Sequence, residues 1–549
     1  MTPMASRTRI LLIGPDDTGP SWSYRYLKRA SCAGKALAIP GRHIPGGRVF
    51  WVCDLNEVRA TALATLLPAS DIITSLGKLF AAAGHELHLV GGSVRDALLG
   101  KLGNDLDFTT SAHPAQTHSL LKKFTKTVWD VGSEYGTISA QTTDRTWLIE
   151  ITTFRADTYR TDSRKPVVAF GDNVTGDLVR RDFTINAMAL DVTGPSIEQW
   201  RLVDPHDGLD DLAKRILRTP AAPEISFSDD PLRMMRAARF ASQLNFDLAP
   251  DTARAMGEMA ERISIISAER VRDELSKLLL TDSPRFGLDL LVRSGIAQIV
   301  LPELPAMQLE RDEHARHKDV YEHSLTVLDQ AIALEKARDF VDGKPNPDHT
   351  PDLVVRLAAL LHDIGKPATR TFEGSKVTFH HHDIVGAKMA RKRLKALRYP
   401  RDVITAVCEL IALHLRFHGY AEGSSGGASS GWSDSAVRRY VRDAGDQLER
   451  LHILTRSDCT TRNQRKADRL RRAYDELEYR IDELAAAEEL AAIRPDLNGD
   501  QIMALLGIGP GRQVGAAYKF LLERRMDQGP LGEERARAEL LAWWADQPH

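Results

Sequence analysis

Cysteine is scarce: only Cys32, Cys53, Cys408 and Cys459 occur in 549 residues, and no two stand as a C-x-x-C pair. That excludes a disulfide framework and a zinc ribbon and fits a reducing compartment, so a cytoplasmic location is expected. No uninterrupted apolar run reaches the roughly 18 residues of a membrane span, and no membrane association is expected. Neither sign of charge dominates, with 73 basic residues against 75 acidic ones, so any nucleic-acid site must be a local basic surface. There is no G-x-x-x-x-G-K-[ST] loop and no repeat at solenoid periods, which excludes P-loop chemistry and stacked-repeat architectures. Nothing in the sequence requires an obligate protein partner.

The length implies several domains, since single cores stop growing near roughly 250–300 residues. Residues 1–53 lack sustained periodicity and are dense in Gly and Pro. "RILLIG" is too short for a signal-peptide core. A disordered arm or a misassigned start is expected, with Val49, Val52 or Val58 as candidate start positions. Periodic sequence begins near Asp54: two helices over 54–84, strands and turns over 85–220, and mostly helices from about 226. Loops are expected at 339–351 and at 419–431, the latter Gly/Ser-rich and flexible.

"LVGGSVRDALLGKLGNDLDFTT" (89–110) is what this sequence does have. A strand, "ELHLV", meets a helix, "SVRDALLG", at Gly91–Gly92, where bare N–H groups at a helix start suit an anion. "DLDF" alternates as a strand does, so Asp105 and Asp107 share a face. Two carboxylates so close suit a divalent cation, and oxygen ligands suit Mg²⁺. A phosphate cradle beside a Mg²⁺ site suggests nucleotide chemistry. Glu150, alone in the apolar strand "TWLIEITTFR", is the natural third carboxylate unless that strand lies at an edge facing water.

In "LVRRDFTINAMAL" (178–190), Arg180 and Arg181 can fork onto phosphate oxygens. Asp182 and Asn186 are four apart, which places them on one helix face, within reach of ribose hydroxyls. In "SFSDDPLRMMRAARF" (226–240), Ser228 or Asp229 can cap a helix on which Asp230, Arg233 and Arg236 form a polar stripe. A carboxylate accepts only and a guanidinium donates only. Asp230 can therefore take an exocyclic amine while Arg233 donates to the neighbouring ring nitrogen. Cytosine and adenine match that order; uracil and guanine present the opposite one. Taken singly, each motif also reads as an ordinary turn, cap or solvated ion pair.

"GGSVRD" with "DLD", "RRDFTINA", "DDPLR" and "AERVRDEL" (268–275) occur in the order found in class II tRNA nucleotidyltransferases, the CCA-adding enzymes, which this chain resembles from about 70 to 530. The resemblance implies an α+β fold: a small mixed-sheet palm at 54–220, then a helical neck at 221–310, a body at 311–462 and a tail at 463–549. It implies Mg²⁺ at Asp105 and Asp107, with Glu150 beside them. Phosphate contacts would come from the Gly91–Gly92 turn, ribose discrimination from Asp182 and Asn186, and base templating from Asp230 and Arg233. Arg95, Arg181 and Arg236 complete the expected nucleotide-binding set, with Arg181 and Arg236 facing the leaving pyrophosphate. The family usually has Glu-Asp before x-x-Arg, whereas this chain has Asp229-Asp230, which leaves the role of the first acid open. "RADTYRTDSRKPVVAF" (155–170) resembles the family's flexible loop, associated with switching from C to A addition.

The helical half carries a second pattern. His323, His362-Asp363, His380 to His382, His414, His418 and Asp458 recur one group per segment, an order that favours a metal site over isolated core histidines. It resembles an HD domain, whose ligands map to His323, His362, Asp363 and Asp458, with His382 and His414 matching the extra ligands of two-metal versions. Such a donor set suits Mn²⁺, Fe²⁺ or Ni²⁺ and the hydrolysis of phosphoesters. In the tail, "GIGPG" followed by Arg512, Lys519, Arg524 and Arg525 reads equally as a tRNA grip or a plain helix–turn–helix. The expected partners are thus tRNA, CTP and ATP. The alternatives are a poly(A) polymerase, an enzyme that adds only A, and an HD phosphohydrolase whose palm merely binds nucleotides.

Overall fold

The computed structural model describes residues 55–130, 132–155, 170–309, 319–341, 344–346, 349–373, 376–417, 432–461, 463–488 and 493–547. Residues 1–53, nearly all of 155–170, the Gly/Ser-rich stretch 419–431 and His418 lie outside these residues. The chain divides into two compact units, one ending at Ile265 and one beginning at Ile266. The division falls inside the stretch expected to form a single neck.

The first unit is built on a mixed seven-stranded sheet. Its strands are β1 (Leu87–Val90), β2 (Asp105–Thr110), β3 (Thr127–Trp129), β4 (Thr137–Gln141), β5 (Leu148–Thr153), β6 (Ala189–Asp191) and β7 (Arg201–Val203), in the spatial order β3-β4-β5-β2-β1-β6-β7. Only β2 and β5 run parallel; every other pairing is antiparallel. Helices Leu55–Leu66 and Ser70–Ala82 precede the sheet, as the periodicity predicts. By length and composition alone, Ala60–Ala82 would pass as a membrane-crossing helix. It is instead broken by a 3-10 turn at Leu67–Ala69, with Pro68 inside it. Ile73, Leu76 and Phe80 are buried on its second half, and a Cβ on Gly77 would stand 1.9 Å from the Val192 carbonyl oxygen. Glycine is therefore what lets this helix lie directly on the backbone leaving β6.

Helices Pro223–Asp229 and Leu232–Leu244 follow the sheet. The break between them corrects the capping expected from sequence. Neither Ser228 nor Asp229 caps the second helix; Asp230 Oδ1 accepts from the Leu232 N–H at 3.1 Å. Asp230 thus sits at the junction, one step off the helical stripe. Residues 182–186 are likewise not an α-helix but a turn leading into a 3-10 segment, Thr184–Asn186.

The second unit is almost wholly helical. Helices Val320–Arg338, Leu353–Leu361, His382–Ala396, Arg401–Leu413 and Leu448–Ser457 form its central bundle. Gly365 makes the tightest approach there: a Cβ on it would stand 2.1 Å from the His382 carbonyl and 2.7 Å from the Gly386 nitrogen. The tail has its own small core of Leu497, Ile502, Ala517, Leu521, Ala536 and Leu540.

Candidate active sites

In the first unit, the strand-to-helix turn is held by Gly91 at φ +68°, a left-handed conformation that glycine takes without steric cost. A Cβ there would lie 2.9 Å from Arg181 Nη1 and 4.0 Å from Asp107 Oδ2. The glycine turn, an arginine 90 residues on and a carboxylate 16 residues on therefore meet at one point. Ser93 ties them: its hydroxyl donates to the Asp105 carbonyl and accepts from the Asp107 N–H, each at 3.1 Å. Sequence reasoning passed over Ser93, although a hydroxyl just after a glycine pair at a helix start was the available signal.

Asp105 and Asp107 share a face of β2, and the parallel register sets Glu150 beside Asp107. β5 is flanked by β2 and β4, so Glu150 stands on an interior strand, exposed on its open face with Ser139 Oγ 3.3 Å away. Asp107 is held above the usual carboxylate range by burial and then by the charge on Glu150, with Asp105 adding to it; Arg181 opposes them only in part. Three carboxylates in mutual repulsion fit a divalent cation. They are nonetheless not drawn as close together as the donor atoms of the second unit described below.

From Arg95, on the helix that follows the glycine turn, runs a continuous hydrogen-bond chain. Arg95, nearly fully buried, donates from Nη1 to Asn186 Oδ1 at 2.7 Å and grips Asp96 with Nε and Nη2. Asn186 Nδ2 donates to Asp182 Oδ1 at 2.9 Å, and Arg236 donates from Nε to Asp182 Oδ2 at 2.8 Å. Burial pushes the Asp182 carboxyl up, but Arg236 and the Asn186 amide outweigh it and hold it at about 2. The expected Asp182–Asn186 pairing is thus present, though a turn rather than a helix face makes it. Arg95 and Arg236, expected at the nucleotide, are committed here to that pair.

Arg233 donates from Nη1 to Ser226 Oγ at 2.9 Å, and its Nη2 hydrogen-bonds to the Arg180 carbonyl. Arg180 and Arg181, read as one phosphate fork, therefore divide: Arg181 faces the glycine turn, whereas the Arg180 backbone fixes Arg233.

In the second unit, most candidate ligands sit at helix ends. His362, His414 and Asp458 each close a helix at its C-terminus, the end that favours a cation, and His382 opens one. Two three-residue sets have donor atoms within 4.8 Å of one another: His323, His362 and Asp458, and Asp363, His382 and His414. Asp363 joins them. Its Oδ2 lies 3.2 Å from His362 Nε2 and 3.4 Å from His323 Nε2, while its Oδ1 lies 3.3 Å from His382 Nε2. Nδ1 of His362, His382 and His414 is each within 2.9 Å of a backbone carbonyl, on Ala359, Phe379 and Ile411, which turns Nε2 inward as a bare donor. His323 is the exception, its Nδ1 lying 3.1 Å from Thr460 Oγ1. Buried His382 Nε2 and Asp363 Oδ1 have no hydrogen-bond partner. Two buried polar atoms so placed, among imidazoles and carboxylates, fit a pair of divalent transition metals. Burial works against charge on His362, but Asp363 and Asp458 prevail and raise it; burial and the neighbouring His362 hold His414 down at about 4. All six ligand positions expected from sequence are brought together. Lys366, which sequence reasoning did not single out, stands 2.6 Å from Asp363 Oδ2.

In the tail, Arg524 is paired with Glu539 at 2.5 Å, and Arg525 lies between Glu488 and Asp496. Of the four cations expected to follow the GIGPG turn as a grip, Arg512 and Lys519 stand exposed.

Comparison with known proteins agrees with this geometry. The family model "Poly A polymerase head domain" matches residues 87–218, "Probable RNA and SrmB- binding site of polymerase A" matches 245–307, and "HD domain" matches 320–463. The A-adding tRNA nucleotidyltransferase of Deinococcus radiodurans is 32% identical over 84% of this chain and 96% of its own length. The CCA-adding enzyme of Streptococcus gordonii is 43% identical over 42% of this chain, and the match spans just over half, 55%, of that relative. Among solved structures, the Bacillus stearothermophilus CCA-adding enzyme in complex with CTP superposes with a TM-score of 0.56 at 24% identity, covering 86% of this chain and 96% of that one, a likeness of fold. Five ordered motifs, the shared palm and a full-length relative therefore place this chain in the class II tRNA nucleotidyltransferase/poly(A) polymerase family, with an HD domain in its helical half.

Proposed function

We propose that this chain adds C, C and A to tRNA 3′ ends from CTP and ATP. The observation that carries the reading is the meeting of the Gly91 turn, Arg181 and Asp107 at one point. Backbone N–H groups of the turn and the Arg181 guanidinium hold the triphosphate. Asp105 and Asp107, with Glu150 beside them, hold Mg²⁺. When bound, that ion would supply charge neutralisation and a more acidic RNA hydroxyl. Asp182 and Asn186 meet the ribose. Asp230 accepts the amine of cytosine or adenine, and Arg233, fixed by Ser226 and the Arg180 carbonyl, donates to the adjacent ring nitrogen. The neck and tail would carry the tRNA, with Arg512 and Lys519 among the tail's exposed cations.

The test uses the full chain, Mg²⁺ and a tRNA transcript ending at the discriminator base, offered CTP, ATP or both. Three added residues reading CCA, then a stop, is the expected product. Unbounded A addition would identify a poly(A) polymerase. Extension only of transcripts already ending in CC would identify an A-adding enzyme, the activity named for the Deinococcus relative.

The paired donor sets joined by Asp363 support a second activity, metal-dependent hydrolysis of phosphoesters in the HD domain. With Mn²⁺ or Ni²⁺, a 2′,3′-cyclic or terminal phosphate should be cleaved, and His362→Ala should abolish that cleavage while leaving nucleotide addition intact.

A further inference from the structure

Phe240 is 5% exposed and is the meeting point of three guanidinium groups. The central carbons of Arg239, Arg95 and Arg236 lie 4.0, 5.1 and 5.6 Å from its ring centroid, and Phe183 meets it edge-on at 5.8 Å. Cations near an aromatic face are drawn by the ring quadrupole, more strongly where water is excluded. Two of these three cations are the ones that hold the Asp182–Asn186 pair from either side.

The direction of those bonds has a chemical consequence. Because Arg95 occupies Asn186 Oδ1, the amide must turn its NH₂ toward Asp182, where one N–H is used. The other N–H remains as a donor, beside a carboxylate that is held ionised. A donor next to an ionised acceptor is the complement of a ribose diol, and a 2′-deoxyribose leaves half of it unanswered. An aliphatic side chain at position 240 would fill the core, yet it would not fix the planes of Arg95 and Arg236.

We propose that Phe240 is a positioning residue for sugar recognition: its ring aligns Arg95 and Arg236, which orient Asn186 and Asp182 to prefer ribonucleotides over deoxynucleotides. This rests on the nucleotide-addition reading above.

The test compares CTP with dCTP in single-turnover addition to a tRNA transcript by the full chain. Phe240→Leu is expected to lower the CTP:dCTP ratio of kcat/KM about tenfold, or about 1.4 kcal/mol, while Phe240→Tyr, which keeps the ring, retains most of it. Arg95→Lys keeps the charge, loses the fork and should lower the ratio similarly, which covers a Leu variant that does not fold. A wild type that discriminates, with Leu and Lys variants that lose CTP and dCTP use in equal proportion, would overturn the assignment. A wild type that adds neither nucleotide overturns the nucleotidyltransferase reading itself, and this assignment with it.

Discussion

Gly365→Ala should remove one metal from the HD domain and leave the other. The added methyl would sit 2.1 Å from the His382 carbonyl oxygen, and ordinary contact needs about 3.4 Å, so the backbone at the start of helix His382–Ala396 must retreat by about 1.3 Å. The obstacle is backbone on both sides, since the Gly386 nitrogen lies 2.7 Å away, and no rotamer change relieves it. Metal–imidazole bonds tolerate roughly ±0.2 Å, several times less than the displacement. His382 would leave the Asp363/His414 set, whereas His323, His362 and Asp458 come from other elements and keep their places. Calorimetric titration of the metal-free protein with Mn²⁺, checked by metal analysis after gel filtration, should find two ions per wild-type chain and one per variant. His382→Ala should match the variant. A Gly365→Ala protein that still binds two ions with unchanged affinity would refute the reasoning.

Thr460→Val should weaken Mn²⁺ at the His323 set by about 10–100-fold, the usual cost of losing a ligand's supporting hydrogen bond, and Thr460→Ser should restore it; equal affinities in titration would show that the hydroxyl plays no part. Asp107→Asn should lower nucleotide addition at least about a thousandfold, about 4 kcal/mol, yet raise the melting temperature of the metal-free protein at pH 7. The folded state resists ionising Asp107, so removing the charge relieves repulsion. Asp182 acts in the opposite sense. Its folded pKa of about 2 lies below the unfolded value, so its contribution is complete above about pH 4 and is lost as pH falls toward 2. Discounted for the partly exposed Arg236, that is about 1–2 kcal/mol, and Asp182→Asn should flatten acid denaturation curves in that window.

The α+β class, the palm followed by helical parts and the grouping of both candidate donor sets were legible because their signals are local or ordered along the chain. Asp105 and Asp107 share a face through the two-residue period of a strand, and the HD residues repeat one group per segment. What escaped depended on distant approach. No spacing rule announces that Arg181 returns to Gly91, or that the Arg180 carbonyl anchors Arg233. The helix drawn through 182–186 failed because every residue from Asp182 to Ala187 is buried, so the backbone follows a core-filling turn rather than a 3.6-residue period with one face outward. The stripe of Asp230, Arg233 and Arg236 was legible as a spacing, but not as a junction between two helices.

Ser93 makes the anion cradle and the carboxylate strand a single mechanical part. Its one hydroxyl grips the backbone on either side of Leu106, so the turn and β2 move together or not at all. The spacing between the Gly91 turn and the carboxylates of β2 is thus gauged by one hydroxyl. On the proposed function, CTP and ATP would be exchanged against a spacing that neither resets, as a vice holds its setting while the workpiece changes.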